Sequence, residues 1–170
     1  MPEAEPAGYW TRKLEQLGLE LPTVVPPVAN YAPAVRTGSI VYTSGQLPMV
    51  DGALTATGKV GAAGDGGAAS GDAQVSPEQA AELARTCALN ALAAVDGLVG
   101  IDAVVRVVKV VGFVASAPGF NGQPAVINGA SDVLGEIFGD AGVHARSAVV
   151  VSELPLDSPV EVELIVEVEV

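Results

Sequence analysis

The clearest alternation of apolar and polar residues lies at the end of the chain, over residues 160–170. Val or Leu occupies every second position from residue 160 to residue 168, and the intervening positions are mostly glutamates. Successive side chains of a strand point to opposite faces, so this pattern predicts a strand with one buried and one acidic face. We expect Glu163, Glu167 and Glu169 to be solvated. Glu161, at the start of the strand beside a loop, is the glutamate best placed for a pocket.

Three segments have the signals of helices. Ser76 at the N-cap, Pro77 at the first helical position and Gln79 two residues later predict a long helix that continues to about Leu98. Its predicted buried stripe is Leu83, Cys87, Ala91, Ala94 and Leu98. Residues 124–138 (PAVINGASDVLGEIF) predict a second helix, ended by Gly139. A shorter helix is predicted over residues 8–17, ended by Gly18.

The remaining apolar runs predict strands. YAPAVRTGSIVYTSGQ is typical of a hairpin with strands at 31–36 and 40–44, and Val104–Ser116 predicts a long interior strand. Residues 148–153 and 160–170 predict two more strands joined by LPLDSP. If that segment closes an antiparallel hairpin, Arg146 lies opposite Glu167, and Glu161 lies about 20 Å away along the ladder.

These elements predict an α+β fold in which a mixed β-sheet carries both long helices on one face. We expect a single domain over residues 1–170, with an N-terminal extension at 1–29 and a flexible Gly/Ala-rich loop at 61–75. The other face of the sheet has no predicted cover. Because Val104–Ser116 is apolar almost throughout, the pattern favours self-association.

The charge of the chain narrows the classes of partner. Twenty acidic residues against eight basic ones give a net charge of −12. Nucleic acids and anionic lipids are bound mainly through Lys and Arg, so this balance argues against both as partners. A lone cysteine, Cys87, excludes an internal disulfide, and no spacing indicates a metal or a cofactor. No leader or membrane span is recognisable, which predicts a cytoplasmic location.

Of the two polar residues considered just before the last apolar segments, Arg146 is a candidate for chemistry and His144 is not favoured as one. Arg146 carries a planar guanidinium that can bind a carboxylate through two hydrogen bonds, but in so acidic a chain a salt bridge to a surface carboxylate is equally expected. His144 is the single histidine, and a loop position without a catalytic role is the favoured interpretation.

Several motifs, in order, resemble those of the YjgF-like family, also called Rid proteins (reactive intermediate deaminases) or endoribonuclease L-PSP. The resemblance extends from about Asn30 to Val168. Its segments are YAPAVRTGSIVYTSGQLP, TGKVG, CALNALAAV, VVRVVKVVGFVAS, FNGQPAVINGASDVLGEIF and HARSAVVVSELPLDSPVEVELIVEV. Two departures, His144-Ala145 before the arginine and Ala148 two positions after it, resemble a divergent subfamily.

The resemblance implies a chorismate-mutase-like fold and a homotrimer with a ligand site in each cleft between subunits. It implies hydrolysis of enamines and imines such as 2-aminoacrylate to 2-keto acids and ammonia. By position, the family's carboxylate-binding arginine corresponds to Arg146 and its water-positioning glutamate to Glu161. Substrate-binding roles correspond in the same way to Tyr31, Ser44, Gly45 and Asn128.

Three functions remain open at this point. The first is the imine deaminase, and the second is a trimeric protein that binds a small carboxylate in the same cleft without catalysis. The third is a ribonuclease, against which the acidic charge weighs.

Overall fold

A computed structural model describes residues 8–24, 27, 29–61 and 73–170 of the chain. It contains three α-helices: α1 (Tyr9–Leu17), α2 (Pro77–Val99) and α3 (Gln123–Phe138). The strands in chain order are β1 (Ala34–Thr37), β2 (Ile40–Thr43), β3 (Met49–Val50), β4 (Ala53–Leu54), β5 (Lys59–Val60), β6 (Ala73–Val75), β7 (Val104–Ala115), β8 (Ala145–Val151) and β9 (Val160–Val168).

Five of these strands form one mixed sheet in the order β1-β2-β9-β7-β8. All neighbours are antiparallel except β7 and β8, which are parallel because α3 crosses over between them. Two short pairs lie outside this sheet, β3 with β4 and β5 with β6. The predicted α+β class and mixed sheet are therefore confirmed.

The two long helices begin and end close to the predicted residues. At the start of α2, Ser76 Oγ accepts a hydrogen bond from the backbone N–H of Gln79 at 3.1 Å, so one free donor of the first turn is satisfied. Gly139 follows the last residue of α3, as predicted. Gly18 ends α1 in the left-handed conformation (φ 65°), which glycine adopts without steric cost.

Both long helices pack on the same face of the sheet and on each other. Val160, Val162, Leu164, Val166 and Val168 of β9 are all buried beneath them, as the alternation predicted. The helices approach closely at Gly129, where an added β-carbon would lie 1.9 Å from the carbonyl oxygen of Ala81. The opposite face carries exposed or half-buried apolar side chains, among them Val35, Tyr42, Phe113 and Ile165.

The predicted hairpin of the last two strands is wrong. β8 pairs only with β7, and β9 lies on the other side of β7. Arg146 is opposite Val110, and Glu167 is opposite Arg106 and Ile40. The segment at residues 154–159 therefore crosses over β7 and is not a tight turn. The chain favours this order because β7 can use the hydrogen-bonding groups of both its edges.

Smaller expectations are also corrected. Leu98, placed in the buried stripe of α2, is 45% exposed, and it lies in the last turn of the helix, next to its final residue Val99. The first hairpin strand begins at Ala34 and not at Tyr31. Residues 73–75, predicted as part of a loop, form β6 beside β5. Residues 62–72 of that predicted loop, and residues 1–7, 25–26 and 28 of the predicted extension, lie outside the described residues.

The N-terminal helix is joined to the domain by a buried tryptophan. Trp10 is 6% exposed, and its indole N–H donates to the carbonyl oxygen of Val104 at 2.8 Å. Its ring meets Phe138 edge to face with centroids 4.8 Å apart. Thr11 adds two hydrogen bonds to the carboxylate of Asp102. These contacts tie α1 to the start of β7 and the end of α3.

Candidate functional site

The guanidinium of Arg146 lies along the first three turns of α3. Its Nη1 donates to Asn128 Oδ1 at 2.8 Å and to Ser131 Oγ at 3.2 Å, and Nη2 donates to the carbonyl oxygen of Pro124 at 3.3 Å. Residues 124, 128 and 131 are four and three positions apart, so they share one face of the helix. Three of the five N–H donors are thereby used, which leaves one on Nε and one on Nη2.

The acceptors of Arg146 are all neutral. The salt bridges of the described residues join Lys59 to Glu153 and Arg85 to Glu136, and neither involves Arg146. The salt bridge that the acidic composition made equally expected is therefore not formed. A guanidinium without an anionic partner retains its full attraction for an added anion, and its remaining N–H pair matches a carboxylate.

Two polar residues beside Arg146 were not among the predicted site residues. Ser131 contacts Arg146 through its hydroxyl, and the same oxygen lies 2.9 Å from Nε2 of His144. The other ring nitrogen of His144 lies 2.6 Å from the carbonyl oxygen of Gly142. The three-residue spacing of Ser131 from Asn128 was the available sequence signal, but it identifies a shared helix face only once Asn128 is chosen.

A second group of predicted residues surrounds the start of β9. Ser44 lies just after β2, where its hydroxyl donates to the carbonyl oxygen of Ala32 at 2.6 Å and its N–H donates to that of Pro33 at 2.8 Å. Tyr31 lies before β1, next to Ala32, and is 46% exposed. Next to Ser44, a β-carbon built on Gly45 would lie 1.6 Å from Oε1 of Glu161. Glycine at position 45 therefore gives this carboxylate its space.

Glu161 is half-buried and faces away from the helices. Burial raises the pKa of its carboxyl group above the ordinary value, and the neighbouring charge of Glu163 raises it further. Among the residues that the structure describes, none donates a hydrogen bond to this carboxylate. A carboxylate of raised pKa without a protein donor is suited to bind water and to accept a proton from it.

The two groups do not meet within one chain. Arg146, Val110 and Leu164 form one row across the sheet on the helix side, whereas Glu161 pairs with Phe113 on the opposite face. Arg146 and Glu161 are three residues apart along the strands and two strands apart across the sheet. Each of these separations is roughly 10 Å. The separation of about 20 Å along the ladder, which the assumed hairpin gave, is therefore wrong. The chain brings Asn128 to Arg146 and brings Ser44 and Gly45 to Glu161.

Other potentially reactive features lie apart from these groups. Cys87 is fully buried, and burial raises the pKa of its thiol well above the ordinary value, so it is a core residue as predicted. No set of three or more His, Cys, Asp or Glu within residues 8–24, 27, 29–61 and 73–170 could hold a metal ion. A cavity of about 620 Å³ opens between α1 and the end of α3, and none of the predicted site residues lines it.

The sequence from residue 11 to residue 168 matches the profile of a family described as "YjgF/chorismate_mutase-like, putative endoribonuclease". The chain belongs to this family. A curated relative, Protein TCP17 of Trypanosoma cruzi, is 40% identical over 162 residues, which are 95% of each chain. Sequence and fold thus agree with the resemblance that the ordered motifs indicated.

Solved structures of family proteins superpose on most of the chain. The protein Atu1372 of Agrobacterium tumefaciens, whose name states an unknown function, is 39% identical and superposes with a TM-score of 0.80 over 95% of this chain and 93% of its own. A Shewanella oneidensis protein named "putative endoribonuclease" is 31% identical, with a TM-score of 0.82 over 94% and 99%. The YjgF gene product of Escherichia coli is 26% identical, with a TM-score of 0.56 over 85% and 93%. Among the helices described, none is long and apolar enough to cross a membrane.

Proposed function

We propose that this protein hydrolyses reactive 2-imino acids, such as the one formed from 2-aminoacrylate, to 2-keto acids and ammonia. The enamine first takes a proton at its methylene carbon, which gives the iminium. Water adds to the iminium carbon and gives up a proton. The resulting carbinolamine transfers its hydroxyl proton to the surroundings, takes a proton on nitrogen and expels ammonia, which leaves the 2-keto acid.

The observation that carries this proposal is the set of neutral acceptors around Arg146. A chain with 20 acidic residues leaves this guanidinium without a carboxylate among the residues described, while Asn128, Ser131 and the backbone fix its direction. The free donors on Nε and Nη2 would bind the substrate carboxylate. Fixing that end of a three-carbon substrate would also fix the position of its imine carbon.

Glu161 would act on the water. Its raised pKa makes it a stronger base than an ordinary carboxylate, and one of its oxygens occupies the space that Gly45 leaves at the end of β2. In the ionised form it would orient the attacking water and accept the proton that the water releases. Enamines of this kind already hydrolyse in water, so a site with few groups is sufficient.

The proposal requires a second copy of the chain. Arg146 and Glu161 lie on opposite faces of one sheet, and the face without helices carries Tyr42, Phe113 and Ile165, which are only partly buried or exposed. We propose that three copies pack through this face and that each cleft combines Arg146 of one subunit with Glu161 of another. Tyr31, Ser44 and Asn128 would then line the same cleft.

A trimeric protein that binds carboxylates without catalysis is the second candidate. It is favoured by the separation of Arg146 from Glu161, because within one chain the anion-binding group does not meet the water-binding group. The ribonuclease activity in the names of some relatives has less support. The net charge of −12 would repel the phosphate backbone, and Arg146 is embedded in a chain with only eight Lys and Arg residues.

The test is to generate 2-aminoacrylate in the cuvette and to measure pyruvate formation above the spontaneous rate. We expect a protein-dependent rate that Arg146→Ala abolishes and Arg146→Lys restores only slightly, because an ammonium lacks the two-donor edge. Arg85→Ala, which removes an arginine paired with Glu136 on the helix surface, is the matched control and should leave the rate unchanged. Carboxylate binding that depends on Arg146 without any acceleration would instead establish the second candidate.

A further inference from the structure

When the imidazole of His144 is neutral, the hydrogen bonds between His144, Ser131 and Arg146 have one self-consistent direction. The carbonyl oxygen of Gly142 can only accept, so the hydrogen of the neutral imidazole is on Nδ1 of His144. Nε2 is then an acceptor and receives the hydroxyl hydrogen of Ser131. A lone pair of the same hydroxyl oxygen faces Nη1 of Arg146 and accepts from it.

We infer that Ser131 and His144 are positioning residues for Arg146, and that the neutral imidazole keeps the guanidinium in its carboxylate-binding orientation. This inference rests on the carboxylate-binding role proposed for Arg146. The imidazole orients the hydroxyl, and the oriented hydroxyl holds Nη1 on α3 together with Asn128. With Nη1 fully used, Nε and Nη2 remain for the ligand.

Protonation of His144 would reverse one bond of this chain. Nε2 of the imidazolium is a donor, so Ser131 Oγ would have to accept from two cationic groups at once. The hydroxyl hydrogen would lose its acceptor, and the two positive charges would repel each other across one oxygen. The contact between Arg146 and Ser131 would weaken, and the guanidinium would leave the orientation that presents Nε and Nη2 to a carboxylate.

We attribute the expected response to pH to His144 and not to the charged groups around it. The elements packed around the imidazole carry Arg106 and Lys109 on β7, Asp132 and Glu136 on α3, Asp140 in the turn at residues 139–142, and Arg146 on β8. Glu136 is paired with Arg85, and Arg106 donates to the carbonyl oxygen of Val143. In the described part of the chain, none of these groups forms an ion pair with His144.

The test measures pyruvate affinity by calorimetry from pH 8 to pH 5.5, a range over which the ligand remains a carboxylate. We expect the affinity of the native chain to fall by roughly three- to tenfold as the pH decreases, the effect of losing one modest hydrogen bond. His144→Gln keeps a neutral acceptor near Ser131 and should bind as tightly at pH 5.5 as at pH 8. Ser131→Ala should bind more weakly at pH 8 and lose the pH dependence.

A comparison of variants separates the effect of the imidazole on pyruvate affinity from the effects of other ionisable groups. Thr86→Ala, which deletes a hydroxyl on α2 away from Arg146, should keep the native pH dependence. Equal pH dependence in the native chain and in His144→Gln, or tighter binding at low pH in the native chain alone, would overturn the inference. So would absence of pyruvate binding at every pH. Because the measurement is of binding, a protein that binds as expected but hydrolyses no enamine refutes only the proposed reaction.

Discussion

Oε1 of Glu161 lies so close to Gly45 that a β-carbon there would be 1.6 Å from it. The two residues come from different parts of the chain and meet where β2 ends beside the start of β9. The nearest obstacle to a larger residue at position 45 is thus the end of a flexible side chain. Any such residue would have to displace the carboxylate that we assign to the water.

We therefore expect Gly45→Ala to fold normally and to lose most of the deaminase rate. The added methyl group would turn Glu161 away from its position without straining the backbone, because Gly45 is not in the left-handed region. Gly135→Ala is the matched control, since an added β-carbon at Gly135 meets nothing within 4 Å. It should keep the rate and gain about 0.5–1 kcal/mol of stability, as alanine is favoured over glycine within a helix. A native rate in Gly45→Ala would show that the position of Glu161 is unimportant.

Glu161→Gln should raise the thermal unfolding midpoint at pH 7. A carboxyl group whose pKa is raised by folding binds its proton more tightly in the folded state. It contributes no penalty below its ordinary value, near 4.5, and an increasing penalty as the pH rises through the raised folded value. The gain from glutamine should thus be absent near pH 4 and should increase as the pH rises toward 7. Midpoints measured over this range check the prediction, with Glu15→Gln on the surface of α1 as the control for loss of one charge. A gain that is equal at both pH values would contradict it.

Activity should require two subunits to share a site. We expect the protein to sediment as a trimer, and we expect Arg146→Ala and Glu161→Ala to be inactive when each is assayed alone. After subunit exchange between the two variants, roughly a quarter of the clefts should contain both intact residues and activity should return. Mass spectrometry of the intact complexes verifies the exchange. If mixed trimers form and remain inactive, the proposed cleft that combines Arg146 of one subunit with Glu161 of another is wrong.

Removal of the Trp10 side chain should loosen the N-terminal helix. Trp10→Ala should cost about 3–5 kcal/mol in urea-induced unfolding, because a buried aromatic ring and its packing on Phe138 are lost. Trp10→Phe should cost about 1–3 kcal/mol, since it leaves the carbonyl oxygen of Val104 without its donor. Leu17→Ala on the exposed side of the same helix should change stability by less than about 0.5 kcal/mol. A loss below 1 kcal/mol in Trp10→Ala would mean that α1 is not held by this residue.

Local patterns in the sequence were sufficient for most of the elements. The alternation of β9, the Ser76 cap and the glycines after α1 and α3 act through neighbouring residues, so the sequence alone placed these features correctly. The ordered motifs likewise determined the family, which the match over residues 11–168 confirmed. Leu98 was the exception within a helix, because periodicity indicates which side of a helix a residue faces but not whether another element covers it.

Only the tertiary structure decided which strands are neighbours and what surrounds Arg146. The segment after β8 has the length of a hairpin loop, but β9 pairs with β2 and β7 because strand pairing depends on hydrogen bonds between distant segments. The same tertiary arrangement places Asn128, Ser131 and His144 around the guanidinium of Arg146 and puts Glu161 on the opposite face of the sheet. Residue type and position in the sequence made Arg146 and Glu161 candidates. The family resemblance then implied their roles. The absence of an anionic partner for Arg146 among the described residues depends on three-dimensional contacts that no local pattern encodes.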